Sequence, residues 1–122
     1  MITGHVTSNR EAIIRVAVRG GGSREETVDA IIDTGFDAFL TLPVSVVCDL
    51  ALPLAGATRA ALGDGSEMFL DAFEAVVVWD SAERRVVTLA TGGAPLVGMA
   101  MLAGCRLALD VVEDGRVEIQ AI

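Results

Sequence analysis

The sequence predicts an all-β domain, a small barrel or sandwich with at most two short helices. Three observations predict it. Apolar and polar residues alternate with period two in several short runs, the pattern of half-buried strands. Tight-turn signals separate those runs, among them Gly20-Gly21-Gly22-Ser23, Gly63-Asp64-Gly65-Ser66 and Asp114-Gly115. Finally, 122 residues, 52% of them hydrophobic, suit a single domain over residues 1–122, with no linker or low-complexity stretch to divide it. With four Phe, one Trp and no Tyr, the core is built from Val, Leu, Ile and Ala.

The elements follow in order. Ala12, Ile14, Val16 and Val18 alternate with Glu11, Arg15 and Arg19, and Gly20 to Ser23 breaks that strand. Thr27 to Ile32 is a second apolar-rich strand, so residues 11–32 read as a hairpin. Ala38 to Leu42 is a short strand stopped by Pro43, Val44 to Leu50 makes one or two helical turns, and Pro53 closes that region. Thr58 to Leu62 and Met68 to Trp79 flank the Asp64-Gly65 turn, and Val76-Val77-Val78-Trp79 is strongly strand-forming. Arg84 to Ala90 follows a polar turn. Leu96-Val97 precedes Gly98, and Met99 to Ala103 turns as a second short helix. Leu107 and Leu109 alternate with Arg106 and Asp110. After Asp114-Gly115, Val117, Ile119 and Ala121 alternate with Arg116, Glu118 and Gln120.

Charge excludes some functions. Arg supplies all 9 cations against 17 acidic residues, a net charge of −8. A protein that grips a nucleic-acid backbone needs the opposite sign, and an anionic membrane surface repels this one. Val86 to Cys105 carries no formal charge over 20 residues, enough to cross a bilayer. Its four glycines, Pro95 and threonines would strand backbone groups in lipid, so it reads as buried soluble structure. Met1 to Arg10 is polar and lacks a signal-peptide core, so the cytoplasm is expected. Cys48 and Cys105 are far apart and read as reduced core thiols.

Little catalytic chemistry is available. His5 is the sole histidine and sits in a polar segment, where a surface or strand-pairing role fits best. One His and two distant Cys make no zinc site, and Gly20 to Gly22 lacks the Lys and the following helix of a phosphate loop. No metal or other cofactor is expected.

One cluster stands apart. Val28-Asp29-Ala30-Ile31-Ile32-Asp33-Thr34-Gly35 runs an apolar strand directly into Asp-Thr-Gly. A carboxylate at the end of a buried strand is costly unless it is used. A plain turn is the bland alternative, since Asp and Gly are ordinary turn residues. Downstream, Leu96-Val97-Gly98 supplies two aliphatics and a glycine, and the Gly63-Asp64-Gly65 hairpin lies between.

That order resembles the retropepsin-like aspartic peptidases, and especially their bacterial single-domain branch. The resemblance rests on Ile31 to Pro43 and Pro95 to Leu102, with the family's strand order around them. It implies a closed barrel with one or two short helices, acting as a symmetric homodimer in which each copy brings one Asp. It implies an endopeptidase acting on extended polypeptide, with Asp33 as the catalytic residue. Thr34 would tie the two active-site loops together. Gly35 would let a substrate strand approach the main chain, and Gly98 would permit close packing under the loop. Asp37 would bond the substrate backbone. Residues 62–68, with Leu62, Gly63, Asp64 and Gly65, would form a flap over the substrate. Met1 to Val6 and Val117 to Ile122 would build the dimer sheet. Phe36 replaces the small residue of viral enzymes and would narrow the pocket. Met99 replaces their Arg, which leaves Asp37 without its usual partner. The alternative is a catalytically idle domain of the same fold that dimerises or binds peptides. A third reading is an unrelated barrel in which Asp33 caps a turn.

Overall fold

A computed structural model describes residues 1–61 and 64–122, with residues 60 and 61 described by backbone alone. Period-two patterning resolves into strands joined by two short helices: β1 (Ile2–Val6), β2 (Ala12–Arg19), β3 (Glu25–Ile32), β4 (Leu40–Pro43), α1 (Val44–Asp49), β5 (Leu54–Ala61), β6 (Glu67–Trp79), β7 (Ala82–Thr91), β8 (Leu96–Val97), α2 (Met99–Leu102), β9 (Cys105–Leu109) and β10 (Arg116–Ala121). Hydrogen bonding runs β5-β6-β7-β4-β8-β3-β2-β1-β10-β9, and an extra pairing of β6 with β2 closes the middle of this sheet. The result is a ring of six strands, β2, β3, β8, β4, β7 and β6. Of the two alternatives, barrel and sandwich, the chain forms the barrel.

β2 makes closure possible by dividing one edge between two neighbours. Its start, Ala12 to Ile14, pairs with β1, and its end, Ala17 to Arg19, pairs with Val76 to Val78 of β6. Its opposite edge carries β3 from Ile13↔Ile31 to Arg19↔Glu25. Two ring contacts are parallel, β3 with β8 and β4 with β7, and both join strands far apart in sequence.

The alternation predicted for β2 is observed: Ala12, Ile14, Val16 and Val18 are buried, while Arg15 and Arg19 face water. They join Val6, Leu40, Leu42, Leu50, Val77, Val97, Met101, Val117 and Ile119 in the main core. A second, much smaller cluster holds Phe36, Ala72 and Leu89, with Ala38, Leu70 and Leu96 packed against it. β6 serves both. Ala75, Val77 and Trp79 point into the main core, and Ala72, on the strand's other face, points into the small cluster.

Several expectations need correction. β5 starts at Leu54 rather than at Thr58, because Leu54 already pairs with Phe73 before an irregularity at Gly56. β4 starts at Leu40 rather than at Ala38, because the Ala38 and Phe39 carbonyls bond to the chain around Gly98 and Ala100 instead. The core-thiol reading fails for Cys48, which is exposed on α1, and holds only in part for Cys105, which is half-buried. His5 is exposed and pairs across β1 with Arg116 and Ile13. Gly20 does more than break a strand: a Cβ there would lie 2.1 Å from the Leu50 carbonyl oxygen, so only glycine lets the end of α1 sit against β2. No helix among the described residues is long and apolar enough to cross a membrane.

Candidate active site

The loop after β3 is placed by the strand before it and the strand beneath it. Ile31 and Ile32 run parallel to Leu96 and Val97, and the Ile31 N–H donates to the Pro95 carbonyl at 2.9 Å. One residue on, the Asp33 N–H donates to the Val97 carbonyl at 2.9 Å. Asp33 is therefore held at the end of a barrel strand by its own main chain. Its side chain is partly exposed, and Oδ1 accepts the Gly35 N–H at 2.9 Å. The Phe36 N–H returns to the Asp33 carbonyl at 3.2 Å and completes the turn.

The far half of the loop is pinned from α2. The Gly98 N–H donates to the Phe39 carbonyl, the Met99 N–H to Phe36 and the Ala100 N–H to Ala38, at 3.0, 2.8 and 3.2 Å. Such close backbone contact excludes a side chain at position 98. A Cβ there would stand 2.2 Å from the Ala38 carbonyl oxygen and 2.6 Å from the Phe36 ring. Gly98 lies against the main chain of Phe36 and Ala38, in the loop that follows Asp33.

Phe36 corrects an expectation. Its ring does not reach into a pocket above Asp33; it turns inward, only 4% exposed, onto Ala72 and Leu89. A lone aromatic after Asp-Thr-Gly thus anchors the loop from below. Thr34 and Gly35 are exposed, and among the described residues the Thr34 hydroxyl makes no bond within the chain. Asp37 is exposed, and no cation pairs with it among the described residues.

Two buried hydroxyls escaped sequence reading. Thr41 Oγ1 accepts the Leu96 N–H at 2.9 Å, and Thr88 Oγ1 donates to the Leu40 carbonyl at 3.1 Å. Both tie β4 to its neighbours directly beside the loop. The signal was present: Thr41 lies between Leu40 and Leu42, and Thr88 between Val87 and Leu89, where a buried hydroxyl needs a partner.

Of the expected flap, Leu62 and Gly63 lie outside the described residues. Asp64 and Gly65 are exposed at the tip of the β5–β6 hairpin. The Asp64 Oδ1 accepts from the Ser66 hydroxyl at 2.6 Å and from the Ser66 N–H at 2.9 Å. Those two bonds, the hydroxyl's first, lower the Asp64 pKa below the ordinary carboxylate value. Along the hairpin, the Arg59 guanidinium stacks over the exposed Phe69 ring at 5.4 Å.

A cavity of about 380 Å³ opens elsewhere, lined by Phe39, Pro53, Glu74, Arg85 and Val86 among others. Asp33, Thr34 and Gly35 do not line it, so the cavity and the carboxylate loop are separate features. Among the described residues no three His, Cys, Asp or Glu side chains gather closely enough to share a metal ion.

Compared with known proteins, the sequence matches no family model and no curated protein. The structure does have a relative. A crystal structure of a retropepsin-like aspartic protease from Rickettsia conorii aligns with 99% of this chain and 90% of its own, at a TM-score of 0.57 and 13% identity. The likeness establishes a retropepsin-like all-β fold for this chain, a closed six-stranded barrel with two short helices.

Proposed function

We propose that the chain is one half of an aspartic endopeptidase, completed by a second copy of itself. The observation that carries this reading is the Asp33 carboxyl. It is partly open to water, fixed by the Gly35 N–H, and set in a loop that the main chain of β8 and α2 holds rigid, on a retropepsin-like fold. A single carboxyl cannot serve as both acid and base in one step. Two copies related by a two-fold axis supply both.

The chemistry follows from like-charge repulsion. Two carboxyls brought within a few ångströms keep one proton between them. The ionised Asp33 removes a proton from water as that water attacks the scissile carbonyl carbon. The protonated Asp33 gives its proton to the carbonyl oxygen. The resulting tetrahedral diol collapses as a proton passes to the departing amine, and no acyl-enzyme forms. Thr34, whose hydroxyl makes no bond among the described residues, bonds the partner's loop. Gly35 presents bare main chain to an extended substrate, and Asp37, exposed next to it, is free to meet a substrate amide. The β5–β6 hairpin, with Asp64 and Gly65 at its tip, covers the bound peptide and sheds water. No cofactor takes part in this reaction.

Cleavage of an unstructured protein such as reduced casein at mildly acidic pH tests the reading. Asp33→Asn should abolish turnover while leaving the fold and assembly intact. Turnover that persists in this variant would overturn the assignment. One observation favours the idle alternative: among the described residues no cation pairs with Asp37. A wild-type dimer that binds unstructured peptide without cutting it would decide for that reading.

A further inference from the structure

The cavity of about 380 Å³ lies away from the Asp33 loop, and the sheet register shows how it is built. Arg19 of β2 stands opposite Val76 of β6, and Val76 stands opposite Arg85 of β7. Two residues along β6, Glu74 stands opposite Val87. Facing residues on paired strands, and residues two apart on one strand, share a face of the sheet. These five side chains therefore project from the same side, and all five line the cavity.

Phe39 and Pro53 close the cavity from elsewhere in the chain. The Phe39 carbonyl, just before β4, accepts the Gly98 N–H at 3.0 Å. The Pro53 carbonyl, just before β5, accepts the Glu74 N–H at 2.9 Å. Both walls rest on backbone bonds, so the space between them is formed before anything enters it. Its size is near the small end for ligand pockets, which run from about 300 to 1,000 Å³. A small molecule fits it and a protein segment does not.

Charge decides which small molecule. Arg19 is already satisfied, since its Nε donates to Glu25 at 2.9 Å and its guanidinium also bonds Glu83. Glu74 and Arg85 are exposed, and among the described residues neither has an ion-pair partner. They stand diagonally across the β6–β7 ladder, with Cβ atoms roughly 7 Å apart. A ligand with only an anionic head would gain Arg85 and be repelled by Glu74. A ligand with only a cationic head would gain Glu74 and be repelled by Arg85. A ligand carrying both heads satisfies both. We infer that the cavity binds an apolar α-amino acid or dipeptide as its zwitterion. Its carboxylate meets Arg85, its ammonium meets Glu74, and a bulky apolar side chain packs against Phe39, Pro53 and Val87. The inference makes no use of Asp33 and stands whether or not the chain cleaves peptides.

Isothermal titration calorimetry of the full chain tests it, with leucine and phenylalanyl-leucine as probes and far-UV circular dichroism as the check on folding. The zwitterion should bind at one saturable site. Acetylating the dipeptide's amine, or amidating its carboxylate, should weaken binding about tenfold or more. Glu74→Gln should weaken the free dipeptide as much, yet leave the affinity of the acetylated form unchanged. Arg85→Gln should likewise weaken the free dipeptide and leave that of the amidated form unchanged. Both positions are exposed, so both variants should fold. Val76→Phe, which fills the cavity without altering charge, should abolish binding. Leucine that binds as tightly as the dipeptide identifies a free amino acid as the occupant, and preference for the dipeptide identifies a peptide fragment. No saturable binding of either probe overturns the inference. So does binding that ignores either charge substitution.

Discussion

The main core and the small cluster under the Asp33 loop hold their surroundings by different means. The main core is broad and redundant: Ile14, Val16, Val18, Leu40, Leu42, Val77, Val97 and Ile119 reach it from five different strands. The small cluster rests on Phe36, Ala72 and Leu89, and the loop above it depends as much on backbone bonds from Gly98, Met99 and Ala100 as on apolar contact. Fold stability resides in the first region and loop geometry in the second. Substitutions in each should separate the two properties.

The largest effect on stability belongs to the main core. Ile14→Ala should cost about 4 kcal/mol by urea unfolding, through lost burial and a cavity. The fraction that remains folded should cleave at an unchanged rate. Gly98→Ala comes next, at about 3 kcal/mol, because the added methyl meets main chain that cannot move aside. It should also remove turnover, since the loop must shift. Phe36→Leu should cost only about 1 kcal/mol, yet lower the cleavage rate markedly at constant stability of the barrel. Wild-type kinetics in Phe36→Leu, or a slow folded fraction in Ile14→Ala, would break the division. The smallest effect lies at the hairpin tip. The depressed Asp64 value adds stability that is present above the ordinary carboxylate range and fades as pH falls through the lowered value. Ser66→Ala should move the Asp64 titration upward, seen by carboxyl NMR, and lower the unfolding midpoint at neutral pH only slightly, because the group is exposed to water.

Much of this division was legible in the sequence. Alternation in Ala12 to Arg19 and in Arg116 to Ala121 identified strands and their inner faces, and Asp33-Thr34-Gly35 with Leu96-Val97-Gly98 identified the loop and its support. Alternation reports which way a side chain points, but not which strand lies beside it. The closure of β2 onto β6 and the free edge at β9 therefore needed coordinates. Phe36 was misjudged for a related reason. In a loop there is no period to say inside from outside, and the cluster that receives its ring comes from β6 and β7, far along the chain. Cys48 was misjudged because α1 is too short for its apolar stripe to show a period.

The pairing of Ile2 with Ile119 has a consequence for how the molecule comes into being. During synthesis the opening strand has one neighbour available, β2, and must wait for Arg116–Ala121 to emerge before its other side is covered. The barrel itself waits for Val76 to Val78 to reach Ala17 to Arg19. With so many of its contacts made late and at long range, the chain should refold slowly, and its early intermediates should be the form most prone to clump.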